Sequence, residues 1–200
     1  MKGREIVLPA PEGMADGLSV TGQPAPHTKD GDLIVGIFVP RELRAQVTRP
    51  GFHALMTVVA SLPTNSTSDS ENTTAFAALE QQWASAAHRL ADSTTRRLAA
   101  EVGDSRSGAR DTVALPGTPP ENGWCLGVSE PIPSVCQLLL ILPTEHGKTQ
   151  VLSETCLLVR NRMIRLLWGR PVTTVWEVAE VAARAETWAK AVAEANRGGS

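Results

Sequence analysis

The sequence predicts an α+β fold, with a mainly antiparallel sheet of about six strands packed against a long middle helix and a C-terminal helix. Two observations predict it. The apolar runs in residues 135–168 are short and are separated by turn residues, as in consecutive hairpins. Residues 74–102 and 174–196 instead repeat apolar residues every three or four positions, which is the period of an amphipathic helix. Because strands and helices are grouped along the chain, antiparallel pairing is favoured over alternating parallel units.

The first half of the chain contains two predicted strands and one ambiguous segment. Residues 4–8 are strand-like and are followed by a proline-rich turn, so we expect an edge strand. Residues 32–39 form the clearest buried strand, and residues 41–47 allow a helical turn or two. Residues 52–62 stay open, because a Thr-Val-Val trio starting at Thr57 favours a strand while the length, alanine and methionine also permit a short helix.

Two polar segments are predicted to be flexible loops of a single α+β domain spanning residues 1–200. Residues 63–72 are rich in Ser, Thr and Asn, and residues 104–122 are rich in Gly, Pro, Ser and Arg. The helix between them ends at Gly103 and would be roughly 40 Å long at 1.5 Å per residue. A small sheet cannot cover that length, so we expect either an overhang or a break near residues 93–95.

The C-terminal third is predicted in most detail. Residues 134–142, 149–160 and 163–168 form three strands joined by polar turns. Thr174 and Glu177 have the Thr-x-x-Glu spacing of a capping box. In a capping box, each of the two side chains accepts a hydrogen bond from the backbone N–H of the other residue. A helix must therefore begin there.

Composition excludes several classes of function. A hydrophobic content of 42% in 200 residues suits a globular domain with a substantial core. The net charge of −2 offers no basic footprint for nucleic acid. No apolar run approaches the roughly 20 residues that cross a bilayer, so we expect no membrane insertion. The chain shows no leader, which predicts a cytoplasmic protein by default and an exported one if a leader was removed.

Cysteine and histidine usage argues against metal and other cofactors. Three cysteines without a Cys-x-x-Cys pair, Cys125, Cys136 and Cys156, are interpreted as buried free thiols. A disulfide between Cys125 and Cys136, or between Cys136 and Cys156, is the alternative, which sequence cannot test. The histidines are too scattered for a zinc site; they are His27, His53, His88 and His146.

No motif marks a catalytic residue. The chain lacks a Gly-x-Ser-x-Gly elbow and both glycine-rich phosphate loops. Its carboxylates are mostly single on helix faces, where solvation is their ordinary role. Glu145 and His146 are adjacent, but a hairpin turn desolvates them too little to tune an acid/base pair. We therefore expect a protein that is not an enzyme.

Four arginines form the sharpest candidate site. They lie in one predicted hairpin and its exit, where guanidinium forks could bind a carboxylate, a phosphate or a partner; they are Arg160, Arg162, Arg165 and Arg170. The alternative is that they keep a sheet edge soluble and pair with Glu154 or with helix carboxylates.

The tryptophans pose a similar choice between core and interface. The chain has five tryptophans and no tyrosine, and because tyrosine normally shares interface contacts with tryptophan, core packing is favoured. The overhanging part of the middle helix, around Trp83 and Leu90, is the exception that we assign to a partner.

The order of elements carries a family resemblance. With its opening at residues 6–13, long middle helix, hairpin at residues 157–168 and terminal helix, most of the chain resembles the PsbP-like sandwich proteins. LpqN-type mycobacterial lipoproteins, certain secretion-effector chaperones and actinobacterial exported sensor domains are similar in layout. The sequence departs from the exported members in lacking a leader and a lipobox cysteine. These families share no catalytic residues, so the resemblance implies a binding or accessory role.

Three hypotheses of function follow, in this order. The first is a noncatalytic protein-binding or chaperone-like accessory module, whose partner is another protein. The second is a small-ligand sensor domain with a pocket between sheet and helix and an anion-binding hairpin that includes Arg165. The third is an enzyme of unrecognised class.

Overall fold

The computed structural model describes residues 6–16, 33–46, 57–62, 69–106, 113–144 and 147–197. Within these ranges the chain forms seven strands, three α-helices and one 3-10 helix. The strands are β1 (Met14–Asp16), β2 (Leu33–Pro40), β3 (Thr57–Leu62), β4 (Trp124–Ile132), β5 (Val135–Pro143), β6 (Thr149–Val159) and β7 (Arg162–Pro171). The α-helices are α1 (Asp69–Leu90), α2 (Ser93–Arg106) and α3 (Val175–Ala195), and the 3-10 helix is Arg41–Gln46.

All the strands belong to one antiparallel sheet in the order β1-β2-β3-β7-β6-β5-β4. The predicted α+β class is confirmed, but the predicted number of about six strands is wrong, because the sheet has seven. Of the edge strand predicted at residues 4–8, residues 6–8 lie outside the sheet and residues 4 and 5 lie outside the described ranges, within which the first strand is Met14–Asp16. Residues 57–62 of the ambiguous segment form strand β3, whereas residues 51–56 lie outside the described ranges.

The predicted single middle helix is two helices. Helix α1 ends at Leu90 and α2 begins at Ser93. Between them, the carboxylate of Asp92 accepts a hydrogen bond of 2.7 Å from the backbone N–H of Thr95, as an N-cap residue does. Because Asp92 satisfies a free N–H at the start of α2, it provides a local reason for the break.

The ends of these helices also differ from the prediction. Helix α2 continues past Gly103 to Arg106, and α1 begins at Asp69. Residues 69–72 and 104–106, which were predicted to be loop, are therefore helical. Residues 63–68 and 107–112 of the predicted loops lie outside the described part of the chain.

The helices cover the two faces of the sheet. The first face packs against α2 and α3 and contains most of the core, with Leu98 of α2, Ile164 of β7 and Val178 of α3 each fully buried. The second face packs against α1 through Phe76 and Trp83. Successive side chains of a strand point to opposite faces of the sheet. Each strand residue therefore faces either α2 and α3 or α1.

The C-terminal prediction of three strands followed by a capped helix is confirmed, with differences of one to three residues at the strand ends. Thr174 caps α3, its hydroxyl accepts from the backbone N–H of Glu177, and the Glu177 carboxylate accepts from the backbone N–H of Thr174 at 3.0 Å. The third of these strands was predicted to end at residue 168, but β7 continues as far as Pro171.

Candidate functional site

The N-terminal strap, residues 6–13, crosses α3 without joining the sheet. The Val7 backbone N–H donates to Oδ1 of Asn196 at 2.9 Å, and Nδ2 of Asn196 donates to the Val7 carbonyl at 2.8 Å. Two residues later, the indole N–H of Trp188 donates to the Pro9 carbonyl at 2.7 Å. The strap is therefore attached to α3 at two points, both far from it in sequence.

The sequence of the strap explains its path. Pro9 and Pro11 have no backbone N–H to give to a sheet ladder. The Met14 N–H donates to the Pro11 carbonyl at 3.0 Å, which closes a turn in which Gly13 has a φ of 75°, a value that suits glycine. The turn delivers the chain into β1 and leaves residues 10–13 facing α3 across a gap.

This gap is a cavity of about 540 Å³. Its floor contains Trp168 of β7 and Trp188 of α3, whose rings pack edge to face with their centroids 6.3 Å apart. Residues 10–13 form one wall, and the remaining wall is the α3 face that carries Glu180, Ala183, Arg184, Thr187 and Ala191. We call this the strap cavity.

The charged side chains that line the strap cavity are Glu12, Glu180 and Arg184, and Glu180 is also paired with Arg170, which is not part of the lining. One oxygen of Glu180 pairs with Arg170 at 2.7 Å, and the other oxygen pairs with Arg184 at 2.8 Å. Both oxygens of Glu180 are thus occupied by guanidinium groups. The Glu180 side chain is 20% exposed and the Arg184 side chain is 48% exposed, so Arg184 is the most exposed of the three paired residues.

The floor also contains an unsatisfied donor. Trp168 is only 2% exposed, and among the residues that the structure describes its indole N–H has no hydrogen-bond partner. Buried polar groups usually have a partner, because leaving one unpaired costs about 1–3 kcal/mol. The indole nitrogen is itself shielded, so this donor does not face the open space of the cavity.

The four hairpin arginines do not form one site. Arg165 lies on the α1 face of the sheet, where its Nε donates to Glu154 at 2.9 Å. Arg170 lies on the α3 face and pairs with Glu180. Arg160 donates from Nε to the Asn196 carbonyl at 3.1 Å, and Arg162 is exposed at the turn. The alternation of side chains along the strand and the tight turn separate the four arginines. Arg165 pairs with Glu154 and Arg170 pairs with a helix carboxylate, as in the alternative that the sequence left open.

The assignment of Trp83 to a partner is wrong, because Trp83 is only 7% exposed and packs against the sheet. Leu90, at the end of α1, is 46% exposed, but no long overhang surrounds it since the chain turns into α2. The other tryptophans follow the core prediction, with Trp124, Trp168 and Trp188 buried and Trp176 half-buried.

The three cysteines are buried free thiols, as predicted. Cys136 and Cys156 are direct partners in the β5–β6 register and lie under α1. Burial, with smaller effects from Glu80 and Glu130, raises the pKa of the Cys136 thiol to about 12. Burial also raises the pKa of Cys156. These thiols are poor nucleophiles and poor metal ligands, and no cluster of three metal-binding side chains occurs in the described ranges.

Two acidic side chains, one on α1 and one on β4, lie close together. Glu80 of α1 hydrogen-bonds Glu130 of β4, and desolvation followed by the charge of Glu130 raises the pKa of Glu80. Glu80 is half-buried and Glu130 is exposed, and neither residue lines the strap cavity. Glu145 and His146, which the sequence argued against as an acid/base pair, lie outside the described residues.

Sequence reasoning missed the strap cavity. It treated the carboxylates on helix faces as solvated and favoured core packing for the tryptophans, without bringing the two groups together. The Pro-Ala-Pro-Glu-Gly sequence at residues 9–13 was a signal, because it cannot continue a strand. The position of this segment in the fold depends on hydrogen bonds with Trp188 and Asn196, which join residues 179 and 189 positions apart in the sequence.

Comparison with known proteins adds no family to this geometry, since no protein-family model matches the chain and no curated protein matches it in sequence. None of the helices in the described ranges is both long and apolar enough to span a membrane.

Proposed function

We propose that this protein is a noncatalytic binding module that takes up a small organic ligand in the strap cavity. The observation that carries the proposal is the cavity itself. Its volume of about 540 Å³ lies within the roughly 300–1,000 Å³ of ordinary ligand pockets. An aromatic floor with a few polar groups at the edge is also their usual composition.

The state of the polar groups supports binding rather than catalysis. Both oxygens of Glu180 are in ion pairs, and the Thr187 hydroxyl donates to the Ala183 carbonyl at 2.9 Å. Glu180 is therefore held by structural partners rather than left free as a general base, and the Thr187 proton is directed at a backbone carbonyl rather than at a base that would activate the hydroxyl.

The protein-partner hypothesis stays a prediction, and so does the resemblance to PsbP-like sandwich proteins. The motivation for a partner was a helix longer than its sheet, and that observation no longer holds because the helix is broken at Asp92. The ligand hypothesis still has a pocket between the sheet and a helix. This pocket lies on the α3 face of the sheet, opposite to the face that carries Arg165.

A cavity-filling variant tests the proposal. A small-molecule library is screened by thermal shift, and hits are titrated by tryptophan fluorescence, since two of the five tryptophans line the cavity. We expect Ala183→Phe to abolish binding by occupying the cavity. The matched control is Ala78→Phe, at an exposed position of α1 on the other side of the sheet, which should bind normally.

Arg165→Ala provides a second control. It should keep every ligand-induced shift, because Arg165 and the cavity lie on opposite faces of the sheet. A library without hits, or hits that bind the Ala183→Phe variant as well as the wild type, would overturn the proposal.

A further inference from the structure

We propose that the face of α3 beneath the strap is a peptide-binding groove, which takes extended, proline-containing segments of a partner protein in place of the strap. This face carries Trp188, Val192 and Asn196, which are spaced four residues apart and therefore lie in one line along the helix. We call it the strap groove. The proposal concerns a different ligand from that of the proposed function and does not rest on it.

The strap groove holds the strap by its backbone. The Val7 N–H and carbonyl pair with the two ends of the Asn196 amide, and the Pro9 carbonyl accepts a hydrogen bond from the indole N–H of Trp188. A hydrogen bond to the backbone does not depend on which side chain that residue carries. Any segment that presents one N–H and two carbonyl groups in the same arrangement can therefore form these three bonds, as in other modes of peptide recognition.

The groups that form these bonds are buried side chains. Asn196 is 4% exposed and Trp188 is 3% exposed. If the strap leaves and nothing replaces it, Oδ1 of Asn196, one N–H of its amide and the indole N–H of Trp188 each lose the partner described above. Polar groups in such buried positions are unfavourable without a partner. The strap groove therefore favours a new backbone segment over remaining empty.

The side chains of the strap show which sequence the groove accepts. Ile6 and Leu8 pack against the main core, whereas Val7 between them is 47% exposed, and Pro11 is buried. Pro9 has no N–H that would need a partner, and a proline biases the residue before it toward an extended conformation. The expected motif is therefore apolar-x-apolar-Pro-x-Pro, in which x is any residue. Its two prolines also lower the entropy lost on binding.

The strap competes with a partner for the same groove. Because it is joined to β1 through Gly13, its effective concentration at the groove is on the order of millimolar. The apparent affinity of a partner segment is reduced by the fraction of molecules in which the groove is open. Release of the strap therefore increases the affinity for the partner, and the strap acts as an autoinhibitory segment.

A labelled strap peptide tests the groove in the full chain. The probe is the acetylated octapeptide of residues 6–13, Ile-Val-Leu-Pro-Ala-Pro-Glu-Gly, with a fluorophore at its C-terminus, and its binding is followed by fluorescence anisotropy. Two variants open the groove without changing it. Val7→Pro removes the N–H that is donated to Asn196, and Leu8→Ser removes an apolar contact of the strap.

We expect each open-strap variant to bind the peptide at least about tenfold more tightly than the wild type, because the competing strap is weakened. Circular dichroism checks that both variants are folded. Adding Asn196→Ala to the Val7→Pro variant should weaken binding by about tenfold or more, because it removes the amide that holds the backbone. The matched control is Glu194→Ala in the same background, at an exposed position of α3, which should leave the affinity unchanged.

Substitutions in the peptide test the motif. Leu8→Ser in the peptide should weaken binding by about tenfold or more, because this side chain packs against the core. Val7→Thr in the peptide should change the affinity by less than about threefold, because this side chain is exposed. Equal effects of the two substitutions would overturn the motif.

The remaining outcomes decide the site and the partner. If the peptide binds neither folded open-strap variant, the proposal fails. If Asn196→Ala leaves its affinity unchanged, the assignment to the strap groove is overturned. A wild-type dimer that increases with concentration in light scattering and is lost in the Val7→Pro variant would assign the groove to straps exchanged between two copies of the chain, and not to a partner protein. The small-molecule proposal is decided separately by the Ala183→Phe variant.

Discussion

Asn196 pairs with the backbone of Val7 through both ends of its amide, although the two residues are 189 positions apart. The same amide nitrogen also donates to the Val192 carbonyl at 2.7 Å, so one buried side chain joins the end of α3 to the N-terminal strap. Asn196 thus holds the strap through side-chain hydrogen bonds rather than through β-sheet pairing. It is the reason that residues 10–13 can form a wall of the strap cavity.

Asn196→Ala is expected to release the strap. The substitution leaves the Val7 N–H and carbonyl without their partner, which we expect to lower the free energy of unfolding by about 1–3 kcal/mol. Limited proteolysis should cut within residues 6–13 more rapidly than in the wild type. Glu194→Ala, at an exposed position of the same helix, is the control and should change neither measurement. Unchanged proteolysis of the Asn196→Ala variant would show that the strap is held by other contacts.

Gly123 and Gly103 are expected to respond oppositely to alanine. Gly123 has a φ of 71°, and a Cβ there would lie 2.6 Å from the Ile141 carbonyl oxygen. Gly123→Ala should therefore cost about 2 kcal/mol or more, since it combines left-handed backbone strain with a backbone clash.

Gly103 lies inside α2, and a Cβ there meets nothing within 4 Å. Gly103→Ala should stabilise the protein by about 0.5–1 kcal/mol, because alanine favours the helix over the unfolded chain. Urea denaturation measures both effects, and a loss of stability in the Gly103→Ala variant would contradict the helical assignment past residue 102.

The cap of α3 should make stability fall in acid. Burial raises the pKa of Glu177, but hydrogen bonds from Thr173 and Thr174 outweigh it, so the pKa lies below its usual value of 4.5. A carboxyl whose pKa is lower in the folded state contributes stability that is present above 4.5 and is lost as the pH falls through the folded value.

Glu177→Gln checks this relationship. The variant should lose stability at pH 7, where the carboxylate is charged, and should lose less than the wild type between pH 7 and about pH 3. Urea denaturation at the two pH values gives the comparison. Glu194→Gln is the matched control at an exposed position of α3, and an unchanged acid dependence in the Glu177→Gln variant would contradict the role of the cap.

The three thiols should be unreactive in the folded protein. Cys125, Cys136 and Cys156 are all buried, and burial raises the pKa of each thiol. Because the thiolate is the reactive form, Ellman's reagent at pH 8 should modify none of them rapidly, and all three should react in denaturant. Rapid modification of one thiol without denaturant would show that α1 separates from the sheet.

The sequence by itself determined the elements whose signals are local. The alternation in β5 to β7 and the spacing of Thr174 and Glu177 act within a few residues, and both led to the right structure. The sequence also allowed a break near residues 93–95 as one of two alternatives, and its cause is local, because the Asp92 carboxylate acts on a residue only three positions away.

Only the tertiary structure decided where the strap and the arginines belong. The path of residues 6–13 is selected by hydrogen bonds to Asn196 and Trp188 at the other end of the chain. Arg165 and Arg170, five positions apart, lie on opposite faces because their separation is odd in a strand. A strap and a helix that meet over two tryptophans enclose a cavity, and no local pattern encodes a space between distant segments.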